Sequence, residues 1–119
     1  MVVQIVVTIN YLSYAMVLVK SLRRQGGAFT YSILLTDVSR KGMREVYEIL
    51  IAEGIEVICC DDLEIEYLEK MRKYYSALEF NAACKILAID FQLKKKHAKE
   101  CLCLDADIYA LGSVEKVLV

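Results

Sequence analysis

VVQIVVTINYLSYAMVLVKSLRRQGG, residues 2–27, changes its hydrophobic period part-way along. Residues 2–9 form a nearly continuous run of β-branched and other apolar side chains, the pattern of a strand buried on both faces, and the run breaks at Asn10. From residue 11 to 25 the apolar positions Leu12, Ala15, Met16, Leu18, Val19 and Leu22 recur at helical spacing. Arg23 and Arg24 suit the negative end of a helix dipole, and Gly26-Gly27 supplies the stop. A buried strand leading directly into an amphipathic helix predicts an α/β unit. Working outward, the alternation continues, with residues 29–36 reading as a second strand, 39–54 as a second helix and 55–59 as a third strand. The repeated order predicts an α/β fold: a mostly parallel, Rossmann-like sheet with right-handed crossovers and flanking helices.

Residues 61–75 are acidic, then basic and aromatic, and fit a linker or an irregular helix equally well. Ser76 then offers a helix cap with Glu79 three residues later, and Leu78, Ala82, Ala83, Ile86, Leu87 and Phe91 suggest the apolar face of a long helix. That helix is expected to end near KKKHAK, residues 94–99, whose lysines favour a helix carboxyl end. Solvated helix end is the simple reading of this run, and a phosphate-binding patch the alternative. Residues 114–119 begin what reads as a short helix. With 119 residues the chain is one domain by length.

Basic and acidic residues number 15 and 16 and are interleaved, so nothing in the charge favours nucleic acid or an anionic membrane. No apolar run reaches the ~20 residues of a membrane span, and the first residues lack the basic segment of a secretory signal; the expected location is cytoplasmic. The hydrophobic share, 57%, is high for a domain of this kind, and motivates an expectation of self-association. Five cysteines, Cys59, Cys60, Cys84, Cys101 and Cys103, show no zinc spacing and read as buried thiols of a reducing compartment. On strands, Cys101 and Cys103 would share a face while Cys59 and Cys60 would point to opposite faces.

CLCLDADIYALGS, residues 101–113, is an apolar run ending in two aspartates. Asp105 and Asp107 lie i and i+2 at a strand end, where extended backbone aims both carboxylates the same way, and Ala106 keeps the approach open. Mg²⁺ or Mn²⁺ takes one or two such carboxylates and completes its shell with water and substrate phosphates. A solvated turn is the simpler reading of an isolated Asp-Ala-Asp. In open α/β sheets ligands bind outside the carboxyl ends of the strands, so Thr8-Ile9-Asn10-Tyr11 and Asp105-Ala106-Asp107 would share a crevice if their strands are neighbours. The first group supplies a hydroxyl, an amide and an aromatic ring for a planar base. The second supplies oxygens for a metal on a pyrophosphate. Asp37 could line the same crevice or cap a turn, and His97, the one histidine, lies in the lysine run and reads as a surface residue.

NYLSYAMVLVKSL after a first strand, YSALEFNAACKILAI on a long helix, and CLCLDADIYALGSVEKVL together resemble the amino-terminal half of GT-A-type glycosyltransferases, especially the glycogenin-like and lipopolysaccharide-glucosyltransferase-like group. The resemblance runs over nearly the whole chain in the right order. It implies that Thr8, Asn10 and Tyr11 hold the base of a nucleotide-diphosphate sugar, a UDP-sugar in the first instance, and that Lys85 contacts its phosphates or sugar. It also implies that Asp105, Ala106 and Asp107 form the DxD motif, with Asp105 and Asp107 binding Mn²⁺ or Mg²⁺. The implied activity is hexose transfer to an acceptor that the resemblance does not name. Some members carry proline after the helix lysine and inside the DxD, where this chain has Ile86 and Ala106; neither change removes a ligand. Such enzymes place the acceptor site and a late metal-binding histidine in a second half, so the resemblance implies that residues 1–119 are the donor-binding half of a longer catalytic domain. A nucleotide-binding module without turnover is the alternative. A nucleotidylyltransferase would show a glycine- and arginine-rich loop after the first strand, and NYLSYAM offers none.

Overall fold

The structure is a computed structural model that describes residues 1–118. The first apolar run forms β1 (Val2–Val7), a 3₁₀ turn over Ile9–Tyr11 follows, and α1 (Leu12–Arg24) begins at once. Then come β2 (Thr30–Leu35), α2 (Arg44–Ala52), β3 (Ile55–Cys59), α3 (Leu68–Tyr74), α4 (Ala77–Lys94) and β4 (Cys101–Leu104). Gly26 and Gly54, with φ of +76° and +72°, let the chain turn left-handed just after α1 and α2, where a side chain would be strained.

The strands make one four-stranded sheet in the order β3-β2-β1-β4, with every pairing parallel. Successive βα units step from β1 to β2 to β3 in one direction. The chain then crosses back so that β4 lies on the other side of β1, in a register that pairs Ile5 with Leu104. Alternate side chains of the buried strands serve different faces. Val3, Ile5 and Val7 pack with Ala15, Leu18, Val19 and Leu22 of α1 and Leu50 of α2. Val6, Leu34 and Ile58 pack with Leu68 of α3 and with Phe80, Cys84 and Ala88 of α4. Cys59 and Cys60 accordingly enter opposite clusters, and all five thiols are free.

One expected helix is corrected, and one open stretch is resolved. The one expected over residues 39–54 begins only at Arg44, because Ser39 to Met43 form turns in which the Ser39 hydroxyl accepts the Gly42 N–H. The stretch 61–75 divides into a 3₁₀ turn, Cys60–Leu63, and α3, separated by Glu64 at φ +52°. The apolar face expected for α4 is also corrected. Phe80, Cys84, Ala88 and Gln92 are its buried residues, whereas Leu78 and Ile86 are 81% and 70% exposed. The helix is apolar on most of its circumference, so counting apolar residues did not settle its phase. Its start follows expectation: Ser76 Oγ accepts the Glu79 N–H at 3.2 Å and Glu79 Oε1 accepts the Ser76 N–H at 3.0 Å.

After β4 the chain runs back over α1. The Ala110 N–H donates to Ser21 Oγ at 3.0 Å and Gln25 Nε2 donates to the Ala110 carbonyl at 3.4 Å. Val114–Lys116 makes a single 3₁₀ turn; the last residue of the short helix expected there lies outside the described residues. No helix among the described residues is long and apolar enough to cross a membrane.

Candidate functional site at the β1–β4 switch point

Strand order reverses between β1 and β4, and a crevice opens at the carboxyl ends of two strands whose following segments diverge. Its lining is Val6, Val7, Thr8 and Tyr11 from the end of β1, Leu78, Asn81 and Lys85 from α4, and Asp105, Ala106 and Asp107 after β4; its volume is about 320 Å³. Thr8, Tyr11, Lys85, Asp105, Ala106 and Asp107 therefore meet from three separated parts of the chain. Asn10 does not line this cleft; it is exposed in the 3₁₀ turn beside it.

The turn after β1 is held by Asp37, whose Oδ1 accepts the Ile9 N–H at 2.9 Å. Asp37 thus shapes the crevice from behind through the backbone. Tyr11 is 57% exposed and tilts against Tyr14, with ring centroids 5.7 Å apart, so it presents an aromatic surface at the rim.

Lys85 reaches from α4 to Asp105 and donates to its Oδ1. This hydrogen bond raises the Lys85 ammonium above its ordinary value; burial opposes it, and the charges of Asp105, Cys103 and Asp107 add to the rise. Asn81, one helical turn before Lys85, was missed in the sequence. Its Oδ1 accepts the Thr36 hydroxyl at 2.6 Å, which links the cleft to the end of β2. The available signal was its i−4 spacing from Lys85, readable only once the helix phase is known. Ala106 and Asp107 also border a second hollow with Ser13, Tyr14, Val17, Ile108 and Tyr109.

Asp105 and Asp107 are both exposed carboxylates, and among the described residues no group of three or more His, Cys, Asp and Glu could enclose a metal. That donor set fits a hard cation that shares phosphate oxygens with a ligand, and does not fit a closed protein cage. The basic run lies elsewhere: α4 ends at the amino edge of the sheet, where Lys94, Lys95 and Lys96 pair with Asp90, Glu64 and Glu56 at 2.8, 2.5 and 3.0 Å. Three of its lysines are thus matched by carboxylates, as expected of a solvated helix end.

No protein-family model matches the chain, and no curated protein matches it significantly.

Proposed function

We propose that the β1–β4 cleft binds a nucleotide-diphosphate sugar, a UDP-sugar in the first instance, and that the chain is the donor-binding part of a GT-A-type hexosyltransferase. The observation that carries this reading is the convergence of Thr8, Tyr11, Lys85, Asp105 and Asp107 on one crevice at the sheet's switch point. Tyr11 offers the base a stacking surface, and Thr8 and the neighbouring Asn10 offer hydrogen bonds to its edge. Lys85 exchanges its carboxylate partner for the diphosphate, keeping its charge matched throughout. Asp105 and Asp107 would hold Mn²⁺ or Mg²⁺. A cation held there would offset diphosphate charge and supply Lewis acidity toward the departing nucleotide.

Calorimetric titration with UDP, with and without Mn²⁺, tests the reading. Manganese-dependent binding is expected. Asp107→Asn is expected to abolish the manganese-dependent part while leaving the circular dichroism spectrum unchanged. No binding by the folded protein, or unchanged manganese-dependent binding in the variant, overturns the assignment.

A metal-independent nucleotide-binding module without turnover is the second reading. The Lys85–Asp105 pair favours it, because the lysine already occupies one carboxylate oxygen of the DxD. UDP binding that persists in a chelator would select it.

A further inference from the structure

The strand order leaves β4 with a neighbour on one side only, and its residues, Cys-Leu-Cys-Leu, carry no charge. The Val2 N–H donates to the Glu100 carbonyl at 3.0 Å, and in a parallel ladder alternate residues turn both backbone groups to the same neighbour. Leu102 and Leu104 therefore face β1 as Glu100 does. Cys101 and Cys103 turn their N–H groups and carbonyls to the open edge, where none of these groups has a partner among the described residues. The other edge of the sheet is better protected. Strand β3 carries Glu56, paired with Lys96 at 3.0 Å, and a charge within an edge strand discourages further pairing.

A second feature lies beside the open edge. Helix α4 lies over β1 and β4 and buries Phe80, Cys84, Ala88 and Gln92. Leu87 and Phe91, on one flank of that line, pack with the α3 cluster, whereas Lys85, on the other flank, reaches Asp105 beyond β4. Ala82, Ile89 and Leu93 continue the side of Lys85 at helical spacing, with Ile86 at its outer margin. Ile89 is half-buried, Ile86 and Leu93 are exposed, and none of the three belongs to either apolar cluster.

We propose that the β4 edge is the contact between two copies of this chain, which join their sheets through antiparallel β4 strands. A two-fold axis through Leu102 sets Cys101 of each copy opposite Cys103 of the other. Each such pair exchanges both N–H···O bonds, so every outward group of the strand is satisfied. Carried one step further out, the same register brings Lys99 opposite Asp105 of the second copy. Lys99 has no ion-pair partner among the described residues, and Lys85 occupies only Oδ1 of the exposed Asp105. The edge is thus complementary to itself in hydrogen bonding and in charge, so a second copy is the occupant that fits.

The strand bonds replace bonds to water and set the register more than the affinity. The driving area comes from α4. Paired strands lie about 4.8 Å apart, which brings two helices lying over neighbouring strands within packing distance. Ala82, Ile89 and Leu93 then meet their copies across the axis and leave water. In the dimer Lys99 of the second copy stands beside Asp105 at the edge of the cleft. An effect on nucleotide binding rests on the proposed function; the contact itself does not.

Sedimentation equilibrium of the folded 119-residue chain across micromolar concentrations is expected to show a reversible monomer–dimer equilibrium. Cys103→Pro removes an outward N–H and projects a ring from the open edge while sparing the β1 ladder, so it should sediment as a monomer with an unchanged circular dichroism spectrum. Lys99→Glu is a milder change that keeps the test open if the proline variant fails to fold. It turns both rim pairs of the dimer into like-charge pairs and should weaken dimerisation about tenfold at low salt. Carbodiimide coupling of mixed isotopically heavy and light chains should link Lys99 of one to Asp105 of the other, since extended backbone holds the two residues of one chain about 20 Å apart. A monomer at every concentration, undiminished dimerisation in folded Cys103→Pro or in Lys99→Glu, or interchain links confined to other residues would each overturn the proposal. UDP titration separates the two claims. A dimer that binds no UDP counts against the donor site alone, whereas a monomer that binds UDP counts against the contact alone.

Discussion

Helices α1 and α4 cover opposite faces of one sheet, and they do so in different ways. Helix α1 buries Ala15, Leu18, Val19 and Leu22 against Val3, Ile5 and Val7, and its buried polar residue, Ser21, donates within the helix to the Leu18 carbonyl and accepts the Ala110 N–H, touching no strand group. Helix α4 places a polar residue, Gln92, on its buried side and leaves Leu78 and Ile86 outside. Gln92 Nε2 donates to Gln4 Oε1 at 2.9 Å and is 3.1 Å from both Ser32 Oγ and Glu56 Oε1, so one amide ties α4 to three strands. The contrast teaches that apolar burial orients α1, while polar satisfaction inside the core fixes the phase of α4.

The sharpest way to break this comparison is in the α1 core. Leu18→Ala should destabilise the protein by about 2–5 kcal/mol in urea denaturation, since Leu18 is wholly buried and its removal leaves a cavity. A smaller loss would mean that α1 is packed loosely. Gln92→Ala should cost less, about 1–3 kcal/mol, because it strands the buried Gln4 carbonyl oxygen. An unchanged denaturation midpoint would show that α4 is oriented by its apolar contacts after all.

Ser76→Ala should cost about 1 kcal/mol by removing the cap of α4. Glu79→Gln, which removes the titrating group, should in turn flatten the acid limb of stability. The hydrogen bond from the Ser76 backbone N–H holds the Glu79 carboxyl below its ordinary value, so its contribution is present above the unfolded-state range and is lost as pH falls through the lowered folded value. Equal acid dependence in wild type and Glu79→Gln would argue against the reciprocal cap. The smallest effect is expected on the outer face of α4. Ile86→Ser should change monomer stability by no more than about 0.5 kcal/mol. The self-association expected from the apolar excess would appear as a concentration-dependent sedimentation coefficient in the wild type that the variant reduces.

Much of this architecture was legible in the sequence, for local reasons. The strand at residues 55–59 and the Ser76–Glu79 cap were placed where they occur, because β-branched runs and capping chemistry act within a few residues. Thr8, Tyr11, Lys85, Asp105, Ala106 and Asp107 were readable as chemically able residues, and their meeting was conditional on two strands being neighbours. Asn81 was not readable, since its side chain faces the cleft only through the phase of α4. The late start of α2 follows from a local competition at residues 39–43, Ser-Arg-Lys-Gly-Met, where the Ser39 hydroxyl takes the Gly42 N–H into a turn.

The sequence by itself determined the alternation of strands and helices, the buried face of α1, the helix cap and the chemical groups at the strand ends. All of these follow from side-chain period and short-range hydrogen bonding. The tertiary structure alone decided that β4 lies beside β1, that α4 turns Gln92 inward and Ile86 outward, and that Thr8, Lys85 and Asp105 line one crevice. These depend on strand order and on polar groups finding partners across tens of residues, which no local pattern specifies.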